Sequence, residues 1–205
     1  MLMDKKNDNS FFAMLSRMKY IERWALMRNS LRENVSEHSL ETAVVAHALA
    51  IIGNCRLGMD YDIEYIALLA MYHDCTEIIT GDMPTPVKYY NTEIKDAYKE
   101  IEVNAAKNLL SRLPEDMALE YEKYLLPKED ASVMKLIKAA DKISALIKCI
   151  EEEKTGNREF NHAKESTFKA IRELECKEAE IFCEEFVPEY EKTLDELSLI
   201  HISEP

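Results

Sequence analysis

Ala67-Leu68-Leu69-Ala70-Met71-Tyr72-His73-Asp74-Cys75-Thr76-Glu77 carries the most apolar run of this chain into a histidine, an aspartate and a glutamate. Residues three and four apart on an α-helix are neighbours. A helix continued through this stretch would therefore set Glu77 over both His73 and Asp74. An imidazole and a carboxylate side by side are two metal ligands, and a third polar group next to them is placed for acid/base work. The stretch reads as the end of an apolar helix and the floor of a metal site, whose missing ligands the rest of the chain should supply.

The surrounding composition is that of a helical protein. The chain has 205 residues, 47% of them hydrophobic, with only 4 Gly and 6 Pro. That is enough apolar material for one sizeable core, and there are few breakers among many good helix formers. The expected fold class is all-α, a single helical domain. A net charge of −13 excludes a broad nucleic-acid-binding or anionic-membrane surface. A small phosphorylated substrate is still admissible, because a divalent cation and one or two basic residues reverse the local field. Five cysteines without a CxxC pair read as core or half-exposed thiols rather than a disulfide framework. Residues 1–8 lack the apolar segment of a signal peptide, and no run reaches the roughly 18 apolar residues of a membrane span. A cytoplasmic location is expected.

Working outward, helical spacing begins at residue 10, with Ser10 as the expected cap, and continues to about 20. Asn34 with Glu37 three residues later forms a capping-box pattern, and the helix behind it is expected to end at Gly53. Asp62 should cap a helix over Ile63–Thr80, stopped by Gly81. Pro84 and Pro86 make an extended segment the expectation for residues 82–87. Further helices are expected over about 91–112, 115–126, 130–154, 161–186 and 188–199. In the helix over 130–154, Val133, Leu136, Ile137, Ala140, Ser144 and Ile147 form the buried stripe, and Asp141 falls on it. The Glu151-Glu152-Glu153 run reads as a solvated face.

Asp141 on an apolar stripe has to be paired, neutralised or bound to metal. An ion pair with Lys138, Lys142 or an arginine would serve as well as a metal. His38, alone in a first helical turn, could be a cap or surface residue; His47 lies on the opposite face and reads as structural; His162 and His201 have no assigned role. Trp24, the only tryptophan, could be a core residue, and Asp82 a turn cap. Taken together, His38, His73-Asp74 and Asp141 follow the order H…HD…D on three helices. Such a mixed nitrogen/oxygen set suits a first-row divalent ion with open positions, Mn²⁺ or Co²⁺ for example, better than a closed thiolate zinc site.

That order resembles the HD-domain metal-dependent phosphohydrolases. The flanking segments are more specific: Ile21-Glu22-Arg23-Trp24-Ala25-Leu26-Met27-Arg28, Glu33-Asn34-Val35-Ser36-Glu37-His38-Ser39, Ala67 to Asp74, and Thr80-Gly81-Asp82-Met83-Pro84-Thr85-Pro86-Val87-Lys88-Tyr89. Together they resemble the bacterial HD-domain 5′-deoxynucleotidases of the YfbR type over about residues 10–197. The resemblance implies a single HD-domain helical bundle spanning 10–199, with an extension before it (1–9), a tail after it (200–205), and the metal between helices. It implies one divalent ion per subunit held by His38, His73, Asp74 and Asp141, with His38, Asp74 and Asp141 also bordering the substrate. Glu77 would handle the proton of the attacking water, Arg23 would orient the phosphate, and Trp24 would lie against the sugar. Asp82, Met83, Pro84 and Thr85 would close over the nucleoside. The implied substrate is a 2′-deoxyribonucleoside 5′-monophosphate, a small-molecule partner, and the implied assembly is a homodimer. Two other readings compete: an HD phosphohydrolase acting on nucleoside triphosphates or signalling nucleotides, and a non-catalytic helical module stabilised by a metal. Few basic residues flank the motifs, which favours a monophosphate, and Glu77 has no purpose in a purely structural site.

Overall fold

The helices that open at Val35, Ile63 and Thr92 start where the sequence provides a side-chain acceptor for their free N–H groups. The structure, a computed structural model, describes residues 9–88, 90–128 and 131–197. A short helix α1 (Phe11–Leu15) passes into a 3-10 stretch over Ser16–Tyr20. After an irregular segment comes α2 (Val35–Arg56), then α3 (Ile63–Tyr72), and two single turns, α4 (Glu77–Thr80) and α5 (Thr85–Lys88). Next are α6 (Thr92–Leu110), α7 (Glu115–Leu125) and α8 (Ala131–Lys154). Last come α9 (Asn161–Glu173), α10 (Lys177–Glu185) and α11 (Leu194–Leu197). Among the described residues the only strand-like pairing is one antiparallel bridge, Glu22 to Asn34. The all-α expectation holds.

At α2 the capping box forms in full. Asn34 Oδ1 accepts from Ser36 N at 3.0 Å and Glu37 N at 3.1 Å, while Glu37 Oε2 accepts from Asn34 N at 3.1 Å. Such caps contribute about 1 kcal/mol. Asp62 and Asn91 cap α3 and α6 in the same way. The core lies between α2, α3 and α8, closed by residues of α9 and α10. Leu49, Ala50, Ile66, Ala70, Ala140, Ile143 and Ile147 are all but fully buried there. A second apolar cluster joins Phe11, Val35, Cys75, Ala106, Leu109 and Leu125. The site lies at the junction of the two clusters, because Val35 and Cys75 anchor the helix ends that carry His38 and Asp74.

Several expectations from sequence are corrected. Ser10 makes no side-chain cap; its hydroxyl instead accepts from Arg112 Nη1 at 2.9 Å. Helix α2 runs past Gly53, whose role is close packing: a Cβ there would stand 2.5 Å from Tyr61 Cε2. The helix over Ile63–Thr80 is interrupted at 73–76, where the chain tightens. His73 N bonds Ala70 O, Cys75 N bonds Tyr72 O and Glu77 N bonds Asp74 O, all three-residue spacings. His, Asp, Cys and Thr are weak helix formers, and the turn lets Cys75 enter the second cluster while His73 and Asp74 face the site. Gly81, at φ +72°, then redirects the chain. The extended segment expected over 82–87 is not formed: residues 81–84 are irregular, and Thr85 and Pro86 open α5, where proline is tolerated in a first turn. The pattern over 161–186 splits after α9, with Glu175 at φ +49°. The span beginning at 188 is a 3-10 stretch over Val187–Glu191 followed by α11. The Glu151–Glu153 run is not a uniform solvated face, since Glu152 is fully buried. His201, the tail after 199 and residues 1–8 lie outside the described residues.

Candidate active site

The first turn of α2, the turn after α3 and the middle of α8 bring the four sequence-identified ligand residues to one place. His38, His73 and Asp74 each offer a ligand atom, and these atoms lie within 4.8 Å of one another. Asp141 is outside that three-way set but stands against it, its Oδ1 3.2 Å from His38 Nε2. Asp74 Oδ2 is 3.5 Å from the same nitrogen and 3.1 Å from His73 Nε2. Ligands at roughly 2.0–2.2 Å around one ion sit at such separations from each other. Lys142 Nζ is also 3.6 Å from Asp141 Oδ2, so the ion-pair alternative for this aspartate has a partner at the outer edge.

The histidines are oriented for ligation. His73 Nδ1–H donates to Ala70 O at 2.7 Å, which leaves Nε2 as a lone-pair donor, and that atom is buried without a hydrogen-bond partner. His38 Nδ1–H donates to Ser144 Oγ at 3.0 Å, and Ser144 in turn donates to Glu41 Oε2 at 2.7 Å. Partners of this kind fix tautomer and ring orientation in metal-ligating histidines. The orphaned His73 Nε2 and the mixed donor set fit a divalent ion.

Charges in the metal-free chain follow from this crowding. Burial opposes ionisation of Asp74, but His73 and His38 beside it hold its carboxyl far below the usual range. Burial likewise acts against Asp141, yet the hydrogen bond to His38 and the charge of Lys142 keep it low. Glu77 behaves in the opposite way. Burial, then the negative charges of Asp74 and Asp82, push it up to about 9, and its Oε2 has no hydrogen-bond partner. It is a buried acid next to the ligands, although the break in the helix means that it does not stack over them by helical spacing.

Arg23 and Trp24 come from the irregular segment between the 3-10 stretch and α2. Arg23 Nη1 lies 3.6 Å from Asp74 Oδ2 and its Nε 3.4 Å from Glu33 Oε1. Trp24 is held at φ +58°, a conformation that costs a residue with a side chain of order 1–3 kcal/mol and persists only where the surroundings impose it. Its indole N–H donates to Glu33 Oε2 at 2.7 Å, and its ring packs against Phe160 with centroids 5.3 Å apart. The loop after Gly81 faces this segment: burial raises the Asp82 carboxyl above its usual range, and the Arg23 charge and the Trp24 backbone act against that. Asp82, Met83 and Pro84 are half-buried and Thr85 is exposed. Helix α6 brackets the loop at both ends: Tyr98 Oη donates to Thr80 Oγ1 at 3.1 Å, and Lys88 Nζ pairs with Glu102 at 2.8 Å. His47 and His162 are exposed and distant in role.

Sequence reasoning missed Glu33, Glu41 and the hydroxyl function of Ser144. Ser144 was visible only as a stripe position, and Glu33 sits one residue before the α2 cap with no periodic pattern around it. It also missed Glu152, whose carboxylate accepts from Ser30 N, Leu31 N, Lys148 Nζ and Asn157 Nδ2 at 2.6–3.1 Å. That cluster ties the 23–33 segment to α8. Lys148 Nζ also donates to Leu31 O.

Comparison with known proteins agrees with this geometry. A family model described as 5′-deoxynucleotidase YfbR-like matches residues 10–190. A 5′-deoxynucleotidase of Vibrio cholerae is 47% identical over 93% of this chain and 99% of its own length. One from Vibrio parahaemolyticus is 49% identical over the same shares. Among solved structures, an HD-domain phosphohydrolase of Listeria innocua is similar with TM-score 0.77 and 26% identity, covering 88% of each chain. Shared fold, near-complete coverage and a matching family model leave one conclusion: the chain belongs to the YfbR-like 5′-deoxynucleotidase family.

Proposed function

We propose that the protein is a metal-dependent 5′-deoxynucleotidase, hydrolysing 2′-deoxyribonucleoside 5′-monophosphates to deoxynucleoside and phosphate. The observation that carries this reading is the convergence of His38, His73 and Asp74 beside a buried arginine and a buried glutamate whose Oε2 has no hydrogen-bond partner. The relatives named 5′-deoxynucleotidase, matched over nearly their whole length, supply the substrate class.

His38, His73 and Asp74 would hold one divalent ion, with Asp141 as the fourth protein ligand. When bound, the ion supplies Lewis acidity toward a phosphoryl oxygen and makes water more acidic. Arg23 presents its guanidinium to the phosphate, which suits a reaction run mainly by positioning and charge stabilisation. Glu77 accepts a proton from the attacking water as the phosphorus–O5′ bond breaks, and a proton returns to the departing 5′-oxygen. A cation beside Asp74 opposes the charges that raise the Glu77 pKa, so it favours the basic form of Glu77. Trp24 lies against the deoxyribose where a 2′-hydroxyl would find no partner. Excluding that hydroxyl discriminates by roughly 1–3 kcal/mol, one to two decades. Asp82 accepts from the 3′-hydroxyl, and Met83, Pro84 and Thr85 cover the nucleoside.

Three further points complete the proposal. A first-row divalent ion such as cobalt or manganese suits the two-imidazole, two-carboxylate set. The chain acts as a homodimer; Leu40, Val44 and Ile51 form an exposed apolar seam along α2, and light scattering should report twice 23.7 kDa. The location is cytoplasmic, in keeping with five unpaired thiols, three of them buried. The test of the function is chelation and reloading. Stripped enzyme should release no phosphate from dAMP, and Mn²⁺ or Co²⁺ should restore release; full activity of metal-free enzyme would refute it.

A further inference from the structure

Glu33 contacts neither ion nor substrate in the scheme above, yet its one carboxylate faces three residues that do. Oε2 accepts the Trp24 indole N–H at 2.7 Å, while Oε1 lies 3.4 Å from Arg23 Nε and 3.5 Å from His38 Nδ1. The residue is 9% exposed. Its backbone grips the same segment, with Arg23 N–H donating to Glu33 O at 2.9 Å, and the Glu22 to Asn34 bridge flanks that contact. His38 already has a shorter partner in Ser144 at 3.0 Å, so Glu33 acts on it by charge. On Trp24 it acts by a hydrogen bond, and on Arg23 by charge at 3.4 Å, since Arg23 Nε is buried without a hydrogen-bond partner.

Indole and guanidinium are donors only. Buried side by side, the indole N–H needs an acceptor oxygen and the guanidinium needs a counter-charge, and one carboxylate supplies both. An amide would supply one acceptor and one donor; a methyl would supply neither, leaving a buried donor unpaired. The indole also sits on a backbone at φ +58°, which its surroundings have to maintain. Beyond Phe160 on its face, the described partner of the indole N–H is Glu33.

We propose that Glu33 is the positioning residue for substrate selection: its carboxylate fixes the Trp24 indole against the sugar and the Arg23 guanidinium against the phosphate. The inference rests on the reading that these two side chains face the nucleotide. It predicts that the two functions separate when the carboxylate is changed. Glu33→Gln keeps an acceptor for the indole and turns a donor toward Arg23. Glu33→Ala removes both acceptors.

The experiment uses the full chain with Mn²⁺ and measures kcat and KM for dAMP and AMP. In parallel, acrylamide quenching of the single tryptophan is measured in metal-free protein. Glu33→Gln is expected to keep the dAMP:AMP ratio of kcat/KM within about 3-fold of wild type while KM for dAMP rises about 10-fold. Glu33→Ala is expected to lower the ratio by about 10-fold or more and to raise the quenching constant. Trp24→Phe, which has no N–H, should lower the ratio, and Glu33→Ala added to it should lower the ratio no further, as expected for residues acting as a unit. Equal losses on both substrates with unchanged quenching in Glu33→Ala would mean a structural role only and would overturn the proposal. If that variant fails to fold, collapse of the ratio in Glu33→Gln to the Trp24→Phe value would overturn it instead. A wild-type protein that cleaves neither nucleotide would count against the enzymatic reading, while the quenching series would still decide whether Glu33 holds the indole.

Discussion

Which nitrogen each histidine presents to an ion is decided by a hydrogen bond on the far side of its ring. For His73 the acceptor is a backbone carbonyl, Ala70 O, which no substitution removes. For His38 it is the Ser144 hydroxyl, backed by Glu41. Ser144→Ala should therefore weaken metal binding by about 10–100-fold, read by calorimetric titration of Mn²⁺ into stripped protein; unchanged affinity would detach Ser144 from the centre. Glu77→Gln should keep the ion and lose about 10²–10⁴-fold in kcat on dAMP, and normal turnover would remove Glu77 from the proton transfer. At this scale the sequence was informative wherever chemistry and spacing coincide. His73 and Asp74 are adjacent, and Asp141 is a charge on an apolar stripe. Glu33 and Glu41 carry no such mark, because their partners come from residues distant in space or outside any periodic pattern.

At the scale of elements, α8 does more than its hydrophobic stripe announces. Asp141, Ser144, Lys148 and Glu152 fall three or four residues apart along it, so one face carries polar groups from the ligand set to the anchor of the 23–33 segment. Glu152 is fully buried among donors, and removing one partner of such a pair costs several kcal/mol. Glu152→Ala should destabilise the protein by about 3 kcal/mol in urea at pH 7. Burial alone would raise the Glu152 pKa, but the Lys148 hydrogen bond and the backbone and Asn157 donors bring it down from 4.5 to about 2. A depressed folded-state pKa contributes stability above the unfolded value that is lost as pH falls through the folded one. The stability gap between wild type and Glu152→Gln should accordingly be full above pH 4.5 and shrink toward pH 2; a gap independent of pH over that range would contradict the assignment. The glutamate triplet concealed this residue, since only the packing of a loop against α8 separates Glu152 from its exposed neighbours. The break at 73–76 was hidden for a related reason. Apolar periodicity continues through it, and the tightening depends on Cys75 reaching the second cluster.

Across the whole molecule, an acidic chain of net charge −13 offers an anionic substrate very little positive surface. Arg28 lies near Glu159 at 3.9 Å, Arg32 near Glu22 at 3.9 Å, and Lys88 is paired with Glu102 at 2.8 Å. Arg23 is set against Asp74, and Lys142 against the outer edge of Asp141. One guanidinium and one ion suit the charge of a monophosphate, and the additional charges of a triphosphate would meet carboxylates. The fold and the meeting of His38, His73 and Asp74 follow from the sequence because helix formers, caps and the H…HD…D order all agree. The 21–33 and 81–84 segments are less legible, since each is irregular and follows no helical period. The most direct test of the account is a phosphate-release panel with Mn²⁺- or Co²⁺-loaded enzyme on dAMP, AMP and dATP. The account predicts turnover of dAMP at least about 10-fold above AMP in kcat/KM and no comparable release from dATP. Equal or faster release from AMP or dATP would contradict it.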